Sequence, residues 1–198
     1  FGSDHTAVQL AGREAYWMSE AAKMAQDNGA QLVDINMGCP AKKVVNGYSG
    51  SALLKDLDHA LTLIDAVVAA VSVPVTLKTR LGWDDQIRNA PDLARRAEGA
   101  GIAMITIHGR TRCQFYKGKA DWVAIADVSQ AVDIPVIANG DIINDQTART
   151  AMQSAQSAGV MIGRGAQGRP WLLSQVAAAL EGRAPTTPPV RKALLDVV

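Results

Sequence analysis

Five short polar stretches carry the groups in this chain that can do chemistry. Asn36-Met37-Gly38-Cys39-Pro40 sets a side-chain amide three residues before a thiol, with Gly38 free to turn the backbone and Pro40 ending the extended run. Such a thiol serves as a nucleophile when ionised or as a proton donor when neutral. Leu77-Lys78-Thr79-Arg80 offers an ammonium suited to an anionic ring, a phosphate or a Schiff base. His108-Gly109-Arg110-Thr111-Arg112 adds an imidazole between cations, and Asn139-Gly140-Asp141 an amide, a close backbone approach and a carboxylate. Gly163-Arg164-Gly165 is a glycine turn able to hold a phosphate through backbone N–H groups. Singly, each has an ordinary structural reading: a small buried cysteine, a snorkelling lysine, a core histidine, an Asn-Gly turn, a tight glycine turn. Their shared placement favours function, because each follows an apolar run.

Those runs read as strands over 6–10, 32–35, 73–78, 103–107, 134–138 and 160–162. Gln9 is the polar residue near the exit of the first. Between them, helices are predicted over 14–27, 51–54, from a cap at Asp56 or Asp58 with Leu61, Ile64, Val68 and Val71 on one face, from Pro91, from a cap at Asp121, over 145–156, and from Pro170 to about 180. Strict alternation means an α/β protein with a parallel sheet, either doubly wound or closed as a TIM (β/α)8 barrel. In both, the C-terminal strand ends form the functional edge. Gly163 to Gly168 fits the dinucleotide pattern Gly-x-Gly-x-x-Gly by letter, but it follows the last strand rather than the first. That position suits the phosphate site of a barrel instead. Six βα units fall short of eight, so a barrel is expected to be incomplete here, its first two strands missing. The expected division is a partial barrel over 1–183, then a Pro-rich linker and the start of a helical domain over 184–198.

Composition narrows the partners. Two cysteines, no CxxC and no His/Cys cluster argue against a disulfide framework or a zinc site, so no metal is expected. The absence of a signal peptide or long apolar span predicts a cytoplasmic protein. Net charge is only +1, yet Lys42, Lys43, Arg80, Arg110, Arg112, Arg164 and Arg169 all fall on strand-exit segments. Acids such as Glu14, Glu20, Asp65 and Glu98 sit on helices. A basic rim on a near-neutral chain suits a polyanionic substrate.

The five motifs, in this order and spacing, resemble the tRNA-dihydrouridine synthases. Ala41-Lys42-Lys43, Gly50-Ser51-Ala52-Leu53-Leu54 and Gln167-Gly168-Arg169-Pro170-Trp171 look most like the bacterial B-type branch. The resemblance covers nearly the whole chain. It implies an FMN-containing TIM barrel with a C-terminal helical domain that helps grip tRNA, working as a monomer without metal. The implied reaction is NADPH- or NADH-driven reduction of the C5=C6 bond of a D-loop uridine. Hydride passes from flavin N5 to C6, and Cys39 gives a proton to C5. That role requires a thiol protonated at neutral pH. By the same resemblance, Asn36 orients the flipped-out uracil. Gln9 and Lys78 contact the isoalloxazine ring, His108 lies near flavin or substrate, and Asn139, Gly140, Asp141, Gly163 and Arg164 hold the ribityl and phosphate. Lys42, Lys43, Arg80, Arg110 and Arg112 are expected to meet the tRNA. The family's first flavin-contacting loop is not found in this sequence, so the chain by itself is expected to bind FMN weakly or not at all.

Two rival readings share these residues. A flavin barrel acting on a small pyrimidine would use the same double-bond chemistry without needing a basic rim. A non-redox tRNA- or phosphate-binding module would need neither Cys39 nor Lys78.

Overall fold

The computed structural model describes residues 6–184. Six strands, β1 (Ala7–Leu10), β2 (Leu32–Met37), β3 (Val75–Arg80), β4 (Met104–His108), β5 (Val136–Asn139) and β6 (Gly159–Met161), form one parallel sheet. Each strand pairs with the next in sequence, so the order never reverses. A doubly wound sheet needs a reversal at its switch point. The described part is therefore wound in one direction, as a barrel wall is.

Helices α1 (Ala15–Asp27), α2 (Lys42–Val45), α3 (Leu57–Ala70), α4 (Ala90–Gly99), α5 (Val123–Ser129), α6 (Asp145–Ala155) and α7 (Leu172–Leu180) fill the connections. All but the short α2 pack in succession, α1 on α3 and each later helix on the one before it. Local signals set their ends. Asp56 accepts from the backbone N–H of His59, Asn144 and Thr147 form a capping box, and Pro91 stands in the first turn of α4. Asp121 accepts from the N–H of Ala124 just ahead of α5.

Strand register sorts every side chain to one of two faces. Leu10, Ile35, Leu77, Ile105 and Val136 stand side by side across β1 to β5. Met37, Thr79, Ile107, Ala138 and Val160 make the next such row. These rows face the helices and belong to the core with Leu63, Ile64, Val67, Leu93 and Ala151. The other face carries Gln9, Asp34, Thr76 and Met104 in one row, then Asn36, Lys78, Thr106 and Ile137, then Arg80, His108, Asn139 and Met161. The face opposite the helices is thus mostly polar, with charged groups from β3 and β4 at the strand ends.

The structure departs from the sequence reading in phase and extent. In α3 the buried residues are Ala60, Leu63, Ile64 and Val67; Leu61 and Val68 only flank the core. This helix is apolar around most of its circumference, so packing rather than periodicity chooses the buried stripe. Strands β2 to β5 run one to two residues further than expected, which puts Asn36, Arg80, His108 and Asn139 on strands rather than in loops; Lys78 stays on its strand as expected. Lys42–Val45 form a turn of helix where a loop was expected, and Gly163 leads into a 3₁₀ turn, Arg164–Ala166. The predicted linker and following helix lie outside the described residues apart from Ala184.

Candidate active site at the strand ends

Cys39 follows β2 on a loop fixed from three sides. Asn36 Oδ1 accepts from the N–H groups of Gly38 (3.1 Å) and Cys39 (2.9 Å). The Cys39 carbonyl accepts from Ser51 N–H at 3.1 Å and Ser51 Oγ at 2.9 Å. Arg80 Nε donates to the Gly38 carbonyl at 2.8 Å. A Cβ at Gly38 would stand 3.3 Å from the Thr79 carbonyl carbon, so the residue's small size lets the loop lie against β3. Cys39 is half-buried and lies within electrostatic reach of Lys78 and Arg80.

Beside this loop the inner row continues along β3 to β5. Lys78 Nζ donates to Asn139 Oδ1 at 3.3 Å, and Asn139 Nδ2 donates to the Met161 carbonyl at 2.8 Å. Burial, and then the charge of Arg80, hold the Lys78 ammonium below the usual lysine range, against the pull of Asp34. His108 is buried, and burial together with Arg80, Lys78 and Arg110 lowers its pKa to about 3. It is therefore neutral at physiological pH. Its Nε2 lies 3.2 Å from Arg110 Nη1, which can only donate, so Nδ1 carries the ring proton.

Lys78, His108, Asn139, Gly140, Gly163 and Arg164 line one cavity of about 420 Å³, with Asp141, Tyr116 and Arg169. That is room for a small-molecule ligand. Arg164 lies over the Tyr116 ring, 4.7 Å from its centroid, and Arg169 bonds the Gly165 carbonyl at 3.0 Å. Two neighbouring glycines differ in purpose. A Cβ on Gly165 would collide with the Ile142 carbonyl at 2.3 Å, whereas one on Gly163 would stand in open space. Gly165 is needed for packing, and Gly163 leaves room at the cavity.

Not every expected substrate contact is free to make one. Arg80 and Arg110 are each 2% exposed, so neither forms part of an exposed basic rim. Arg80 Nη1 donates to the Thr111 and Phe115 carbonyls at 3.0 and 2.9 Å, besides the bond to Gly38. Arg110 donates to the Lys117 and Gly118 carbonyls and to both oxygens of Asp141. These guanidiniums replace the hydrogen bonds that buried loop carbonyls would otherwise lack. Asp141 is held likewise: burial pushes its carboxyl up, but the Ala120 N–H and Arg110 outweigh this and keep it below the usual range. Lys42 and Lys43 are exposed on α2, as a phosphate contact requires. Arg112 sits between these extremes, its Cζ 4.8 Å from the Trp83 centroid and its buried Nε without a partner.

Tyr116, under Arg80 and Arg164, and Asp34, on the inner face beside Gln9, were not found by sequence reasoning. Asp34 was legible in principle, since a period of two puts it on the same face as Asn36. Tyr116 lies in a loop with no periodic signal.

A one-way parallel sheet with helices outside, polar inside rows and a cationic cavity at its C-terminal edge defines a barrel-type α/β protein with a site for an anionic ligand. Residues 2–197 match the dihydrouridine synthase family, and the chain belongs to that family. It is 63% identical over 179 residues to a probable tRNA-dihydrouridine synthase of Rhodobacter capsulatus, covering 90% of this chain and 55% of that protein. It is 52% identical over 186 residues to a tRNA-dihydrouridine synthase B of Xanthomonas campestris pv. campestris, covering 94% and 56%. The chain spans about half the length of the curated relatives it matches. Among solved structures, a putative mandelate racemase/muconate lactonizing enzyme from Labrenzia alexandrii superposes with a TM-score of 0.64 at 17% identity, over 92% of this chain and 46% of that one. That likeness concerns the fold alone. Among the described residues no helix is long and apolar enough to cross a membrane, and no group of three or more His, Cys, Asp or Glu is placed to hold a metal.

Proposed function

We propose that this chain carries the catalytic face of a tRNA-dihydrouridine synthase that reduces the C5=C6 bond of a D-loop uridine, using FMN and NADPH or NADH, in the cytoplasm. The observation that carries the reading is that Cys39 lies within electrostatic reach of Lys78, which bonds Asn139 in a cavity also lined by Arg164 and Arg169.

The donor set fits a flavin mononucleotide. Lys78 and Asn139 suit the polar edge of an isoalloxazine, and the space at Gly163 with the Arg164 and Arg169 cations suits a phosphate. Gln9, His108, Gly140 and Asp141 would complete the holding set, Asp141 through the Arg110 bridge that shapes its loop. Bound and reduced, FMN would supply hydride to C6 of the uracil.

The chain's own residues do the rest. Cys39 Sγ–H gives its proton to C5 and is left as thiolate, reprotonated from solvent. Lys78, charged and half-buried, stabilises negative charge on the ring beside it. Neutral His108 offers an N–H donor rather than an acid. Asn36, already committed to the Cys39 loop, bears on the uracil by fixing where the thiol stands. Lys42, Lys43 and Arg112 meet the RNA backbone.

The test uses the protein from its complete gene, with FMN, NADPH and unmodified tRNA, and reads uridine gaining two mass units. The reading fails if no dihydrouridine forms, or if Cys39→Ala makes it at the wild-type rate.

A further inference from the structure

Behind the Cys39 loop, the inner faces of β1 and β2 hold a chain of hydrogen bonds with a fixed direction. Gln9 Nε2 donates to Asp34 Oδ2 at 2.6 Å. Asn36 Nδ2 donates to Gln9 Oε1 at 2.9 Å. Asn36 Oδ1 accepts from the Gly38 and Cys39 N–H groups at 3.1 and 2.9 Å. The other Asp34 oxygen accepts from Thr76 Oγ1 at 2.7 Å, which pins the carboxylate against β3.

A side-chain amide has a donor end and an acceptor end, and nothing in its shape tells them apart. Direction must come from the ends of the chain. A carboxylate only accepts and a backbone N–H only donates. With Asp34 at one end and the two loop N–H groups at the other, both amides have a single satisfied orientation. Reversing Asn36 sets donor against donor at the cysteine loop, and reversing Gln9 sets acceptor against acceptor at Asp34 and donor against donor at Asn36.

We propose that Asp34 is a positioning residue for Cys39: acting through Gln9 and Asn36, it sets the polarity that holds the Gly38-Cys39 backbone in place. Its bearing on turnover rests on Cys39 being the proton donor; its bearing on the loop does not. Asp34 touches neither the loop nor the thiol, and its effect passes entirely through two neutral amides.

The relay predicts a rescue that a packing role cannot produce. Asp34→Leu keeps the branched shape but removes the terminal acceptor, so Gln9 Nε2 loses its partner and Gln9 is held only through Asn36, from the loop end. Gln9→Glu added to Asp34→Leu restores a fixed acceptor at that end, because a glutamate carboxylate at position 9 can only accept from Asn36. Gln9→Leu breaks the relay with Asp34 intact.

In the Cys113→Ser chain, where Cys39 is the one thiol, hydrogen exchange at the Gly38 and Cys39 amides and alkylation of Cys39 by iodoacetamide are measured together. Asp34→Leu and Gln9→Leu should each change both rates by about fivefold, the worth of one hydrogen bond. The Gln9→Glu/Asp34→Leu chain should return to within about twofold of the parent. Unchanged rates in Asp34→Leu overturn the proposal, as does a double variant no closer to the parent than the single. Should the single variants unfold by circular dichroism, the double variant decides alone: folded with parent-like exchange supports the relay, and any other result overturns it. Retained dihydrouridine formation in Cys39→Ala would remove the acid role while leaving these exchange rates as predicted.

Discussion

Arg110 Nη2 reaches both oxygens of Asp141, at 2.9 and 2.7 Å, across the gap between the β4 and β5 exit loops. The arginine is almost wholly buried and the aspartate about a third exposed. Asp141→Ala would leave a buried cation with carbonyl partners only. We expect a loss of about 3 kcal/mol, the low end for breaking such a pair, because water reaches the acid. Denaturant melts would check it. The carboxyl is held below its ordinary value, so its stabilising contribution is present at neutral pH and fades as pH falls below about 4.

His108 gives a second pH signature of different range. Its folded pKa, about 3, lies below the ordinary imidazole value. Between pH 6.5 and 3 the unfolded chain therefore binds a proton that the folded chain refuses, and stability falls with pH by up to about 1.4 kcal/mol per unit. Melts from pH 7 to 4 should show that slope, and His108→Gln should flatten it. An unflattened slope would mean the ring is not held neutral by its surroundings.

The buried and exposed cations should separate cleanly in RNA binding. Lys42→Ala and Lys43→Ala should each reduce the salt dependence of tRNA affinity, by about 0.7 to 0.9 in log–log slope, and leave the melting temperature unchanged. Arg80→Lys should do the reverse, because an ammonium cannot span the Gly38, Thr111 and Phe115 carbonyls. Filter-binding titrations at several salt concentrations, paired with thermal melts, give both readouts.

The glycine turn yields a steric contrast. Gly165→Ala should destabilise the fold, its Cβ meeting a backbone carbonyl. Gly163→Ala should fold normally yet weaken FMN binding by about tenfold, equivalent to 1.4 kcal/mol, since the new methyl takes space proposed for the phosphate. Flavin fluorescence titration of the protein from its complete gene distinguishes the two.

Much of the layout was legible in the sequence because it depends on short-range rules. Strand apolarity, an acid at Asp56 or Asp58 and Pro91 mark their elements directly. The polar residues Asn36, Lys78, His108 and Asn139 could be placed at one edge because alternation fixes which end of each strand is open. What escaped were properties set by neighbours. Arg80 and Arg110 read as rim cations, since nothing in their flanking residues shows that loop carbonyls will enclose them. The buried stripe of α3 was misphased because its sequence is apolar on several sides. The polarity imposed by Asp34 depends on contacts 25 residues apart, between strands whose register a sequence does not print.

One guanidinium, Arg80, fastens the turn after β2 to the turn after β4. Neither turn can therefore be lengthened or traded for a homologous one without stranding its neighbour's carbonyl oxygens. Recombination that aims to retarget such a protein should move the segment from Asn36 through Phe115 as one cassette.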